Sequence, residues 1–259
     1  MLPIAMILAA GVGSRLQPLT DKTPKALLHF RGKPMLEHVI MKLKSHGITE
    51  VVINIHHHAQ QIVEFVQMHN DFGMNIYFSN EKERLMDTGG AILKARGLLE
   101  GRGSFLVHNV DIFTDLDIKA LYHSHLAGES LATLAVQDRK TSRNLLIDRR
   151  GWLCGWRDNE SGKTVMAGEE FLQQTEKRSN NTEFDGAVKA DKELFPVAFS
   201  GIHVVNPQIF KLLGFNDPFS IIHAYLKLCA EHKIDIYDHS PDLWIDMANK
   251  ESIQMYNKY

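Results

Sequence analysis

Short apolar runs alternate with segments of helical periodicity along the first 137 residues, and this order constrains the fold more than any other feature. The runs "PIAMILAA" (3–10) and "EVVINI" (50–55) predict strands that are buried on both faces. Between them, "PMLEHVIMKLKSHG" (34–47) places Met35, Val39 and Leu43 at helical spacing. Such an alternation is typical of crossovers between parallel strands. The sequence therefore predicts an α/β fold with a doubly wound, mostly parallel, Rossmann-like sheet.

The pattern changes after residue 137. The stretch "NLLIDRRGWLCGW" (144–156) predicts a hairpin that turns at Arg150 and Gly151. Residues 158–193 are polar and lack a period, so we expect this segment to be mobile and to close over a substrate. Neither a repeat nor a second globular unit is visible in the sequence. One domain over 1–259 is predicted, whose later segments form a small substrate-binding subregion at the carboxyl edge of the sheet.

Charge and composition exclude several classes of protein. The formal net charge is −2, which gives no electrostatic footprint for nucleic acid. The two cysteines are too few for a disulfide framework, which suits a reducing compartment. No apolar run reaches the roughly 18–20 residues that span a bilayer. We expect a cytoplasmic protein with no nucleic-acid or membrane partner.

A glycine-rich loop, "LAAGVGSRLQPLTDKTPKALL" (8–28), follows the first strand. It carries Gly11 and Gly13 together with two cations, Arg15 and Lys25. Backbone N–H groups at a strand end bind anions, arginine offers a planar fork of donors, and lysine a mobile point charge. The loop therefore predicts a polyphosphate site.

Two better-known phosphate loops fit this sequence poorly. A dinucleotide fingerprint would need a third glycine where Leu16 stands, and an acidic residue after the second strand that is missing here. The stretch "RGKP" (31–34) is not a P-loop, because Lys33 is followed by proline. A Rossmann oxidoreductase is accordingly a weak alternative.

The loop resembles the signature of the sugar-1-phosphate nucleotidylyltransferases, Gly-x-Gly-x-Arg-x-x-Pro-Leu-Thr followed by Pro-Lys. The chain most resembles the N-acetylmuramate-1-phosphate uridylyltransferases and the compact mannose-1-phosphate guanylyltransferases of that family. The resemblance implies transfer of a nucleoside monophosphate from an NTP to a sugar 1-phosphate, with release of pyrophosphate. Later stretches fall where the family has further motifs: "MDTGGAI" (86–92), "HNVDIFTDLDIKAL" (108–121), "FSGIHVVNP" (199–207) and "LWIDM" (243–247).

The resemblance also implies roles for single residues. Arg15 matches the arginine that contacts the NTP polyphosphate and the leaving pyrophosphate. Lys25 matches the lysine that binds the α-phosphate or bridges it to the sugar phosphate. Asp111 and Asp246 match the two carboxylates that bind the metal. Carboxylate oxygens completed by phosphate oxygens and waters suit Mg²⁺, which is the expected cofactor.

Nucleotide and sugar contacts are expected mainly from backbone at strand ends. The nucleotide-binding half is placed at 1–137 and the sugar-binding half at 138–259. The residues expected at the nucleotide are Ala9, Ala10, Gly11, Gly13, Asn80, Gly89 and Gly90. Those expected at the sugar are Asn109, Asn144, Ser200 and Gly201.

The substrates stay open at this point. The resemblance favours UTP with N-acetylmuramate 1-phosphate over GTP with mannose 1-phosphate or a heptose 1-phosphate. A non-catalytic sensor of nucleotide sugars is the alternative from another class, and it would tolerate loss of the four charged residues that the family uses. A monomer or a small homo-oligomer is expected.

Overall fold

A ten-stranded mixed sheet forms the middle layer of the computed structural model, which describes residues 2–167, 193–214 and 218–256. Its core is parallel. Met6 packs into the cluster on one face of the sheet, while Ala5 and Ile7 pack into the cluster on the other. The predicted doubly wound α/β fold is confirmed. The parallel core of its sheet contains four strands in the order β6-β1-β4-β5: β1 (Ala5–Leu8), β4 (Glu50–Ile55), β5 (Asn75–Asn80) and β6 (Phe105–Asn109).

Helices cover both faces of the sheet, as a doubly wound fold requires. One face is covered by α1 (Met35–Ser45), α2 (Ala59–Met68) and α5 (Ile118–Gly128). The other face is covered by α3 (Asp87–Lys94), α4 (Arg96–Leu99), α6 (Ile209–Leu212) and α7 (Ile221–Leu228). A last helix, α8 (Lys250–Tyr256), follows. Within the described ranges, each helix is too short or too polar to span a membrane.

Antiparallel strands extend the parallel core. Strand β12 (Phe195–Val205) runs antiparallel to β6 and to β8 (Ala132–Gln137), and β13 (Ile234–Asp238) pairs parallel with β8. The first residues of β12 pair with β9 (Arg143–Ile147), and β10 (Leu153–Asp158) and β11 (Thr164–Met166) follow outward. Because β12 lies between β6 and β8, one sheet crosses the boundary predicted at residue 137.

The predicted hairpin is confirmed. Strands β9 and β10 pair antiparallel, and Gly151 adopts φ +78° in the turn between them. Of the stretch 158–193, which we expected to be mobile, residues 164–166 form β11 and residues 168–192 lie outside the described part of the chain.

A bulge in β12 shapes the middle of the sheet. The register with β8 shifts between Phe199 and His203, and Gly201 has φ +75°. This left-handed conformation favours glycine. A Cβ at Gly201 would also lie 2.8 Å from Asn109 Nδ2. The bulge therefore packs directly against the end of β6.

Two small sheets complete the fold. Strand β7 (Ile112–Thr114) pairs with β14 (Trp244–Asp246), and β2 (His29–Phe30) pairs with β3 (Lys33–Pro34). A third core cluster joins Leu16 of the glycine-rich loop to Ile245 and Met247 around β14. This cluster fixes the loop against the strand that carries Asp246.

Candidate functional site

The glycine-rich loop and the loop after β6 meet at the carboxyl ends of the parallel strands. There Lys25 Nζ lies 2.7 Å from Asp111 Oδ2, and the two side chains are 14% and 15% exposed. Ligands of open α/β sheets bind outside the carboxyl ends of the strands. The structure thus brings together, at the expected edge, the lysine and the carboxylate that the sequence placed there.

Asp246 lies beside Asp111. It pairs with Ile112 in the β14–β7 ladder, and the N–H of Met247 donates to the carbonyl of Asp111 over 2.7 Å. Burial, followed by the charge of Asp111, raises the pKa of Asp246, while Arg15 and Lys25 act in the opposite direction. All four charged residues predicted from the sequence therefore share one electrostatic environment.

Gly13 lets the loop close around the stem of Lys25, and Gly11 lies near its amino group. Gly13 has φ +68°, and a Cβ there would lie 2.9 Å from Thr20 Cγ2 and 3.1 Å from Lys25 Cβ. At Gly11 a Cβ would lie 3.8 Å from Lys25 Nζ. Arg15, in a short 3-10 turn, is exposed at the rim. The loop thus orients Lys25 inward and leaves Arg15 accessible to a ligand.

Asn54 of β4 fixes the backbone where β1 ends. Its Oδ1 accepts from the N–H of Ala9 over 2.6 Å and from the N–H of Ala10 over 3.3 Å. These two N–H groups are committed within the protein, so a nucleotide at this position would meet the carbonyls and methyl groups instead. The sequence analysis did not single out Asn54, although a polar residue inside the apolar run "VVINI" was a signal.

Glu81 continues this network toward the "TGG" turn. The carboxylate is fully buried, accepts from Asn54 Nδ2 over 2.7 Å and accepts from the N–H of Met86 over 2.8 Å. Asn54 and Glu81 therefore join the strand end at Ala9 to the segment that leads into α3. The sequence analysis also missed Glu81, although an acidic residue directly after a strand could have drawn attention to it.

Gly89 and Gly90 are held by the segment before α7. Both N–H groups point to the carbonyl of Phe219, at 2.9 and 3.4 Å, and a Cβ at Gly89 would overlap the Phe219 ring. Packing of Phe219 alone thus accounts for glycine at position 89. Contact of Gly89 and Gly90 with a nucleotide stays a prediction.

On the other side of Asp111, the bulge of β12 is held from two directions. His239 Nε2 and Ser200 Oγ share a hydrogen bond of 2.7 Å, and Trp244 Nε1 donates to the carbonyl of Ser200 over 2.9 Å. Asn109 touches the same bulge at Gly201. The structure brings these three predicted sugar residues together, next to the strand that ends at Asp246.

Two other predicted residues lie apart from these groups. Asn144 faces away from the side of β9 that carries Arg143 and Leu145, and its Oδ1 accepts from Asn159 Nδ2 over 2.6 Å. Asn80 is exposed at the end of β5. Their contacts with the sugar and the base stay predictions.

The two carboxylates suit a hard divalent cation. Their oxygens are the donor type that Mg²⁺ binds. A cation between Asp111 and Asp246 would offset both the burial and the charge of Asp111, which together raise the pKa of Asp246. In the part of the chain that the structure describes, no group of three or more metal-binding side chains occurs. A metal held here would take its remaining oxygens from a ligand and water.

Known proteins resemble this chain in sequence and in fold. An N-acetylmuramate alpha-1-phosphate uridylyltransferase of Neisseria meningitidis is 43% identical over 120 residues, which span 46% of this chain and 52% of that protein. The protein of the same name from Caulobacter vibrioides is 28% identical over 236 residues, 89% of this chain and 86% of that protein. The crystal structure of HddC from Yersinia pseudotuberculosis complexed with GMP-PN has the same fold, with a TM-score of 0.72, 19% identity and 98% of each chain covered.

The family described as nucleotidyl transferase matches residues 4–145. This range contains the glycine-rich loop, the "TGG" turn and Asp111, and it covers more than half of the chain. The chain therefore belongs to the nucleotidyl transferase family of enzymes.

Proposed function

We propose that the protein transfers a nucleoside monophosphate from an NTP to a sugar 1-phosphate and releases pyrophosphate. The observation that carries the proposal is the convergence of Lys25, Asp111, Asp246 and Arg15 beside a glycine-rich loop at the carboxyl edge of the sheet. The sugar is proposed to be N-acetylmuramate and the nucleotide UTP. Support comes from the two relatives that bear this activity in their names, one of which matches along most of both chains.

The chemistry needs charge neutralisation more than proton transfer. An oxygen of the sugar phosphate attacks the α-phosphorus of the NTP, and the bond to the β-phosphate bridging oxygen breaks as pyrophosphate leaves with the electron pair. The nucleophile is already an anion, so a general base is not required. The main part of the barrier is the repulsion between the two anions as they approach. Preorganised cations lower this barrier.

The residues of this chain divide that task by position. Lys25, held inward by close packing at Gly13 and by Asp111, contacts the α-phosphate where negative charge accumulates. Arg15, exposed at the rim, binds the β- and γ-phosphates and the departing pyrophosphate. Asp111 and Asp246 would hold Mg²⁺, which when bound neutralises and orients phosphate oxygens. Asn54 and Glu81 keep in place the strand end at Ala9 and the segment before α3, which are proposed to form the base pocket.

A matrix of substrates tests this proposal. UTP, GTP, CTP and dTTP are each incubated with N-acetylmuramate, mannose and heptose 1-phosphates, and pyrophosphate release and product mass are recorded. We expect the highest kcat/KM for UTP with N-acetylmuramate 1-phosphate. The Lys25→Ala variant measures the background rate of pyrophosphate release. An at least tenfold preference for GTP would overturn the choice of base and leave the reaction standing. NTP binding without pyrophosphate release from any pair would instead make the protein a sensor.

A further inference from the structure

An open cleft of about 240 Å³ lies between the β9–β10 hairpin, β12 and the start of α7. Its apolar walls come from Leu145, Trp156 and Phe199. Its polar lining includes Thr141, Arg143 and His223. We call this the aromatic cleft, and its mixture of an aromatic side chain with polar groups suits a sugar ring, which has an apolar C–H face and polar substituents.

Two segments that line the aromatic cleft are joined to segments of the candidate site. Phe199 directly precedes the bulge at Ser200 and Gly201, which was predicted to meet the sugar. On the side of α7, the N–H of Ile221 donates to Thr88 Oγ1 over 2.9 Å, and this ties the start of α7 to the "TGG" turn. The cleft thus lies between the segments assigned to the nucleotide and those assigned to the sugar.

Arg143 is aimed at the side of the hairpin that forms the cleft. Residues opposite each other in an antiparallel ladder share a face, and Arg143 is paired with Asp158, as Leu145 is with Trp156. Arg143 Nε lies 3.6 Å from Asp158 Oδ2, and its side chain remains 69% exposed. An ion pair this long and this exposed is weak. The guanidinium can therefore turn to a ligand anion at small cost.

Further basic groups stand near Arg143. Burial lowers the pKa of His223, and the charges of Lys163 and Arg143 lower it further, against the opposing effect of Asp87. Arg143, Lys163 and His223 come from three separate elements of the chain, and Asp87 and Asp158 are the acidic groups that face them. At neutral pH the two cations, Arg143 and Lys163, are thus balanced by two carboxylates, while His223 is neutral. Among the residues that line the cleft, Arg143 is the cation that can exchange a weak ion pair for a ligand anion.

We infer that the aromatic cleft holds the sugar ring of the substrate and that Arg143 binds a carboxylate carried by that sugar. The inference rests on the proposed function and deepens it. The geometry selects a sugar 1-phosphate with an acidic substituent over a neutral one. A guanidinium binds a carboxylate through two parallel hydrogen bonds, which also fixes the orientation of the ring. Arg143 is then the residue that determines specificity for the sugar.

Two sugar phosphates that differ in this one group provide the test. N-acetylmuramate 1-phosphate carries a lactyl carboxylate that N-acetylglucosamine 1-phosphate lacks. With UTP, we expect the wild type to favour the acidic sugar at least about tenfold in kcat/KM. Arg143→Gln should remove most of this preference by raising KM for the acidic sugar, while kcat/KM for the neutral sugar changes less than about twofold. Arg143→Lys should be intermediate, because it keeps the charge and loses the fork.

Arg149→Gln is the matched control. Arg149 lies at the turn of the same hairpin, is 77% exposed and pairs with Glu193. This variant should behave as the wild type with both sugars. Equal use of the two sugars by the wild type, or equal losses for both in Arg143→Gln, would overturn the inference while nucleotidyl transfer stands.

Calorimetric titration separates this inference from the reaction itself. Absence of pyrophosphate release from every NTP and sugar pair would refute the proposed function. Binding of the two sugar phosphates to the wild type and to Arg143→Gln can be measured without turnover. Tighter binding of the acidic sugar that depends on Arg143 would then still support the inference, and equal binding would overturn it.

Discussion

Lys25 Nζ lies 2.7 Å from Asp111 Oδ2, although 86 residues separate the two in the sequence. Lys25 belongs to the loop after β1 and Asp111 to the loop after β6, and these strands are hydrogen-bonded neighbours in the sheet. Both side chains are mostly shielded from water, which strengthens their interaction relative to a pair on the surface. A cation and a carboxylate are thereby positioned next to each other at the carboxyl ends of two neighbouring strands.

Lys25→Ala should leave the fold intact and lower kcat by on the order of 10²-fold or more. The reason is that a contact to the α-phosphate strengthens as charge redistributes in the transition state. Steady-state assays, with circular dichroism as the check on folding, measure this. Lys22→Ala is the control, because Lys22 is an exposed cation of the same loop. A well-folded Lys25→Ala protein with near wild-type kcat would refute the role.

Asp111→Asn and Asp246→Asn should each weaken activation by Mg²⁺, since each change removes an anionic ligand while nearly keeping the shape. We expect the Mg²⁺ concentration for half-maximal activity to rise by roughly tenfold or more, because one charged contact to a cation is lost. Asp21→Asn, in the exposed part of the glycine-rich loop, is the control. A variant that titrates with Mg²⁺ like the wild type would show that its aspartate is not a ligand.

Glu81→Gln should damage nucleotide binding more than sugar binding. A glutamine that keeps the hydrogen bond from Asn54 turns its NH₂ group toward the N–H of Met86, which leaves a buried donor unpaired. Such a loss costs about 1–3 kcal/mol of stability and loosens the two segments that are proposed to form the base pocket. Urea denaturation and separate KM values for UTP and the sugar phosphate measure the two effects. Glu83→Gln, exposed two residues away, is the control, and equal rises in both KM values would contradict the prediction.

His203 should make the protein sensitive to acid. Its ring is 1% exposed between Phe199 and Tyr225, and neither ring nitrogen has a partner among the described residues. Burial, with the nearby His108 second, lowers the pKa of His203 to about 3. The unfolded chain binds a proton below about pH 6.5 and the folded chain does not, so stability falls as the pH drops from there toward 3.

His203→Leu should therefore gain about 2 kcal/mol of unfolding free energy relative to the wild type between pH 7 and pH 5. Urea denaturation at the two pH values measures this difference, and any change in packing cancels because it is present at both. His123→Leu alters an exposed histidine of α5 and should show no comparable gain. A pH-independent difference for His203→Leu would mean that this ring is protonated in the folded protein as well.

Local patterns in the sequence were enough to predict most elements of the fold. The apolar runs correspond to β1, β4 and β6, and the hairpin turns at the predicted glycine, because buried strands and left-handed turns impose local requirements on residue type. The place of β12 between β6 and β8 could not be predicted in this way. Its partners are distant in the sequence, and nothing within a strand states which neighbour it will pair with.

Arg15 and Lys25 were singled out because two cations beside a glycine turn suit a polyphosphate, whereas Asp111 and Asp246 were assigned from the resemblance to the family. Asn54, Glu81 and Phe219 were missed, since their contacts are with backbone that other segments bring to them. Asn144 was chosen for its residue type, but the pleat of β9 turns it to the face opposite Arg143. A residue type suggests what a side chain can bind, and the fold sets what lies within its reach.

The sequence by itself indicated the kind of chemistry. A glycine-rich loop with Arg15 and Lys25 predicted polyphosphate binding, and the resemblance of Asp111 and Asp246 to family motifs implied a metal. Only the tertiary structure decided which backbone donors are already occupied, and that Arg143 borders an aromatic cleft beside the site. The physical reason is the distance along the chain over which each property is set. Turn conformation and the charge of a side chain are local properties, whereas burial, hydrogen-bond partners and clefts arise between segments that are far apart in the chain.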